Sequence, residues 1–225
     1  MTNQTLMAGG ICALGLFTAL FSASAQVTLT FNGVSPGATV ILQAGAPLSI
    51  GPEGVYAGIY NQTINGVATP SFCIDVARSI TAGQTYTDYN YTDLSLAPLP
   101  PAGPMGGSAA IDIEKLWAAY FPAATGNSQD AAALQVAIWL EVAANVGYPL
   151  SVNGNNLSDP VYSEAAGMLN SLPNLTAQAN LVGLVSPTGQ NYVVPGTFVT
   201  VVPEPTTLAL AGLCGLAGLI LRRRK

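Results

Sequence analysis

Cys73 and Gln135 are the two side chains in this sequence that most need a chemical explanation. Of the three cysteines, Cys12 and Cys214 lie in apolar terminal runs expected to be removed, which leaves Cys73 alone. It cannot close an intramolecular disulfide. A lone thiol in an exported domain is buried and inert, paired between chains, or chemically special, and burial is the common state. Gln135 lies in "ALQVAIWLEVAAN", residues 133 to 145. On a helix, Ala131, Leu134, Ile138 and Val142 form one stripe, and Gln135 and Trp139 overlap at i and i+4 along its edge. An unsatisfied carboxamide there would cost about 1–3 kcal/mol. The partner is either a backbone amide or carbonyl, the commoner outcome, or something more specific, for which Cys73 is the candidate.

Other chemistries are narrowed by composition. There is no histidine, which removes Ser-His and Cys-His catalysis and the common zinc sites. No metal site and no cofactor is expected. "NGNNLSD", residues 153 to 159, has Leu157 where a calcium loop needs an oxygen, so it reads as a polar loop. Asp112, Glu114 and the Tyr-rich stretch 86 to 91 are the raw material for a carbohydrate-binding or hydrolytic reading. Paired carboxylates on a helix, however, are usually solvated. Tyr56, Tyr60 and Glu141 are further candidate neighbours of the Cys–Gln pair.

The elements that must position these residues follow from the hydrophobic period. Residues 26 to 107 are β-rich: "VTLTF" and "ATVILQA" alternate, and strands at 56–60 and 72–76 flank an Asn65-Gly66 turn. Residues 97 to 107, with four prolines and three glycines, cannot form regular structure. From 108 to 175 the period becomes helical. Ile113, Leu116, Trp117 and Tyr120 share one helix face, with Ser108 as N-cap and Pro122 as stop. A second helix spans 128 to 145, opened by Asn127 and Asp130 and ended near Gly147. A third runs from Asp159-Pro160 to Ser171, with Val161, Ala165, Met168 and Leu172 inward. Residues 176 to 202 return to β character in "NLVGLVS", "NYVVPG" and "TFVTVV". The expected fold is α+β, a sandwich or barrel-like β subdomain with an inserted three-helix subdomain.

Both ends carry targeting features. Residues 1 to 25 read as a signal peptide, an apolar run followed by Ala23-x-Ala25. Residues 203 to 225 combine Pro203-Glu204-Pro205, an apolar run to Leu221, and Arg222, Arg223, Arg224 and Lys225. By physics this is a C-terminal membrane helix with a cytoplasmic tail. Its order closely resembles the PEP-CTERM sorting signal. The resemblance implies an exosortase partner and export across the inner membrane of a Gram-negative, exopolysaccharide-making bacterium. Transient anchoring is expected to precede arrival at the cell surface or matrix. Four of the six basic residues lie in this tail, so the remaining domain is acidic and unsuited to nucleic acid.

A second resemblance involves the opening pair. Phe72-Cys73-Ile74-Asp75 and Gln135-Val136-Ala137-Ile138-Trp139 resemble the Cys and Gln motifs of the internal-thioester domains of bacterial surface adhesins. The helix "IEKLWAAYFP" ahead of the second motif is similar too. Leu134 stands where those domains often have Thr. The resemblance implies an intramolecular Cys73–Gln135 thioester, formed without enzyme or cofactor, that reacts once with an amine on a partner. The amine would come from a protein lysine or an amino sugar. Phe72 and Trp139 would shield the bond, and Asp75 would order the strand end or handle protons. The alternative is a non-covalent structural or binding protein of the exopolysaccharide matrix, with Cys73 merely buried.

Overall fold

The computed structural model describes residues 27–196. The signal segment, the run "TFVTVV" and the membrane helix expected within 203–225 lie outside the described residues. Seven strands and three helices form an α+β fold with one large antiparallel sheet.

Strand β1 (Val27–Ala44) joins into one element the two runs that the sequence separates. Register shifts between Phe31 and Gly33, and between Val34 and Gly37, absorb the interruption at Gly33 and Pro36-Gly37. β2 (Ile50–Ile64) pairs with β1 along nearly its whole length. Their closest approach sets Gly37 against Gly58, where a Cβ on Gly58 would lie 2.3 Å from the Pro36 carbonyl oxygen. Only glycine lets the two backbones meet there. The turn at Asn65 and Gly66, both at positive φ, leads into β3 (Val67–Cys73).

The strand expected at 72–76 is therefore displaced: β3 stops at Cys73. The chain turns because the Asp75 side chain accepts the Ala77 N–H at 3.0 Å and the Cys73 thiol folds back onto Asp75. β4 (Thr85–Thr92), β5 (Leu150–Val152), β6 (Leu181–Val185) and β7 (Tyr192–Pro195) complete the sheet in the order β2-β3-β7-β6-β4-β1-β5. Because β1 also pairs with β2, the pairings close a circuit of six strands, with β5 extending from β1. Closure leaves few unpaired edges.

The helices lie between β4 and β6 in the chain. α1 (Gly107–Ala124) begins two residues earlier than a cap at Ser108 would place it. Gly106, at φ 88°, is its N-cap with no side-chain bond, so Ser108 sits inside the first turn and does not cap. Pro122 does not stop the helix either. It falls in the last turn, where it removes the one i→i−4 donor to the Ala118 carbonyl, and the helix ends two residues later. α2 (Ser128–Val146) opens as its sequence suggests, with Asn127 Oδ1 accepting from the Gln129 N–H at 2.8 Å, and closes on Gly147 in the left-handed region. α3 (Pro160–Ser171) is capped by Asp159 and buries Val161, Ala165 and Met168.

α2 is the central element, packed against α1, α3, β1 and β2. Every residue from Ala131 to Trp139 is buried, and its alanines allow neighbours close approach. Gln135 is thus at the centre of the molecule, not at the edge of a stripe. Segment 97–107 is irregular, yet it places Ala97, Leu99 and Met105 in the core. Asn145 Nδ2 ties it to α2 by donating to the Met105 carbonyl.

Candidate functional site: a buried cysteine–glutamine pair

The end of β3 meets the middle of α2 at Cys73 and Gln135, both 0% exposed. The Gln135 carboxamide lies alongside the Cys73 backbone and pairs with it as a neighbouring strand would. Oε1 accepts the Cys73 N–H at 2.8 Å, and Nε2 donates to the Cys73 carbonyl at 2.8 Å. The buried amide is thereby satisfied on both sides, and the bond from the Cys73 N–H polarises the Gln135 carbonyl. Sixty-two residues separate the pair in sequence.

The thiol points elsewhere. Sγ donates to the Asp75 carbonyl at 3.2 Å and accepts from Asp75 N–H at 3.3 Å and from Gln190 Nε2 at 2.9 Å. Burial, and then the nearby Asp75 charge, push the thiol up to about 12 against the pull of the surrounding donors. At neutral pH the thiol is therefore held in its protonated form.

Phe72, 0% exposed, faces the helical side, with its ring edge-on to Trp117 at 5.2 Å. Trp117 in turn stacks on Phe121. Trp139 covers the other side. Its indole lies close enough to Cys73 to lower the thiol's pKa, yet Nε1–H meets no acceptor at hydrogen-bonding geometry. Asp75 is 2% exposed. Besides ordering the turn, it sits 3.7 Å from Arg78 Nε, and its Oδ2 accepts no hydrogen bond. Burial raises its pKa to about 6 despite Arg78 and the Ala77 N–H.

Tyr60 stands close enough to Cys73 to feel its charge. Tyr56 is half exposed and donates to the Gly37 carbonyl. Glu141 lies with Asp112 and Lys115 on the helical side, and Asp112 is in a 3.0 Å ion pair with Lys115. In segment 153–159 the side-chain oxygens of Asn153, Asn155, Asn156 and Asp159 are each used on a backbone N–H.

Sequence reasoning misses Gln190, which joins the sulfur to a tyrosine cluster. Tyr192 donates its hydroxyl to Gln190 Oε1 and Tyr89 donates to the Gln190 carbonyl, both at 2.8 Å. The signal available was a polar pair, Gln190-Asn191, at the entry to an apolar strand. Tyr60 and Tyr192 are 5.4 Å apart between ring centres, and burial raises both hydroxyls far above the usual tyrosine range.

The C-terminus carries a PEP-CTERM protein-sorting motif, whose family model matches residues 201–225. The motif implies recognition by an exosortase and export in a Gram-negative bacterium, with processing at the membrane. No match was found among curated proteins or among solved structures.

Proposed function

We propose that this is an exported, exosortase-processed thioester domain in which Cys73 and Gln135 condense and then attach the protein covalently to an amine-bearing surface molecule. The observation that carries the reading is the two-point pairing of the Gln135 carboxamide with the Cys73 backbone in a fully buried site. It holds a poor electrophile against the backbone of the residue that carries the nucleophile, and once the sulfur turns toward it such proximity can replace several kcal/mol of activation.

In the first step Sγ adds to Cδ of Gln135, the C–N bond breaks, and the thiol proton leaves with the amide nitrogen as ammonia. For this the sulfur must swing away from Asp75 and Gln190. In the second, the amine nitrogen adds to the acyl carbon, the C–S bond breaks, and one amine proton passes to sulfur. Gln135 becomes a substituted amide and Cys73 is a thiol again. Trp139 Nε1–H, a donor without a partner beside the sulfur, is available to the oxyanion of either step. Each molecule reacts once, so this is not turnover.

The orientation of Sγ toward Gln190 favours a second reading, in which Gln135 is a non-covalent clamp between α2 and β3 in a structural protein of the exopolysaccharide matrix. The intact mass of the purified domain separates the two. A thioester gives a mass lower by one ammonia, replaced by the mass of methylamine on treatment, and Gln135→Ala removes the deficit. An unshifted mass with Cys73 alkylatable after denaturation overturns the thioester reading in favour of the clamp.

A further inference from the structure

A cleft of about 290 Å³ opens between the β1–β2 hairpin and the segment after Asp75. Its apolar walls include Phe31, Val55 and Ile80, and its inner end is closed by Trp139 and Gln190. Gln190 donates to the Cys73 sulfur, and the Trp139 indole lies near it. Cys73 itself does not line the cleft. The reacting atoms therefore sit one side chain behind its floor.

The cleft has two charged residues, Glu53 and Arg78. Arg78 is committed: Nη1 donates to the Ser186 and Gly189 carbonyls at 2.9 Å each, and Nε lies 3.7 Å from Asp75. Glu53 is exposed at the rim and has no ion-pair partner among the described residues. At the floor, the Trp139 Nε1–H is buried and unpartnered.

Resting on the thioester reading, we propose that this cleft is the port through which the nucleophile reaches the acyl carbon, and that Glu53 selects it by charge. The chemistry it fits is a primary amine on an unbranched alkyl stem within cationic surroundings. Methylenes suit the apolar walls, and a second positive charge left outside meets Glu53. An amine fixed directly on a sugar ring has no stem to pass between the walls.

The test uses the processed domain and three amines: methylamine, cadaverine and 6-aminohexanoate. The last two have the same reach and opposite charge at the far end. Loss of the thioester is followed by intact mass. In the wild type, cadaverine reacts faster than 6-aminohexanoate. In Glu53→Gln the ratio falls about threefold to fivefold, the scale of an exposed ion pair, and added salt lowers the wild-type ratio in the same way. Ile80→Trp, which fills the cleft, slows both long amines at least about tenfold.

If the wild-type domain shows no ammonia deficit, the thioester reading fails and the port fails with it. If the deficit is present but Glu53→Gln leaves the ratio unchanged, the charge selection is overturned and the thioester stands. Unchanged rates in an Ile80→Trp variant that retains the deficit overturn the port. Should Ile80→Trp fail to form the thioester, the exposed Glu53→Gln variant and the salt series still decide the matter.

Discussion

Asp75 shows how much a single buried carboxyl adjusts this site. Its pKa is raised to about 6, first by burial, with Ala77 N–H and Arg78 opposing. The unfolded carboxyl titrates near 3.9. Between about pH 4 and pH 6 the folded protein therefore holds a proton that the unfolded chain has lost, and stability falls as pH rises through that window. The two-unit difference corresponds to about 3 kcal/mol at the upper limit, all of it lost above pH 6. Asp75→Asn keeps the acceptor for Ala77 N–H and removes the charge, so it should flatten the slope and raise stability at pH 7. Urea unfolding at pH 4, 5, 6 and 7 for both proteins measures this. Parallel curves for the two proteins would mean that Asp75 is not the group responsible. A destabilising charge beside the only free thiol of the described residues accords with the chemistry proposed for Cys73 and Gln135 better than with a role in folding.

Two elements each carry a fully buried glutamine, and they differ instructively. Gln135 on α2 bonds through both amide atoms to Cys73, whereas Gln62 on β2 is 1% exposed with neither Nε2 nor Oε1 bonded. An orphaned amide of this kind costs about 1–3 kcal/mol. Gln62→Met keeps the volume and removes the polar atoms, so it should raise stability by about 1–2 kcal/mol. Gln135→Met, which orphans the Cys73 N–H and carbonyl, should lower it. Thermal unfolding of the two variants tests the contrast, and a destabilised Gln62→Met would show that its amide is satisfied after all. The helices and the Cys–Gln juxtaposition were legible because they rest on local signals: an apolar period, the caps Asn127 and Asp159, and two short motifs. The strand bounds were not. β1 runs through glycines that look like a break, and β3 ends at Cys73 because a side-chain turn, invisible to periodicity, draws the chain away. Gln190 was hidden for a related reason. Its role depends on β7 pairing with β3 at Cys73 and Tyr192, a contact between residues more than a hundred positions apart.

At the scale of the whole molecule, the thioester we propose would have to avoid the protein's own nucleophiles, and the lysine distribution is compatible with that. The sequence has two lysines, Lys115 and Lys225. The second lies in the matched sorting motif, which exosortase processing would remove. Lys115 is three-quarters buried by its side chain and held 3.0 Å from Asp112, on α1 and not among the residues that line the cleft. Apart from the new N-terminal amine, the processed domain then offers no ready amine to a second copy, so under the proposed chemistry the expected partner is a different molecule. Concentrated domain carrying the ammonia deficit should remain a single band on a denaturing gel over many hours, and Lys115→Arg should behave identically. A lysine-rich protein added to the same sample should produce higher bands that hydroxylamine pretreatment of the domain prevents. Covalent ladders formed by the domain alone would overturn this account. They would instead make the protein a self-linking one, with its own copies as the target.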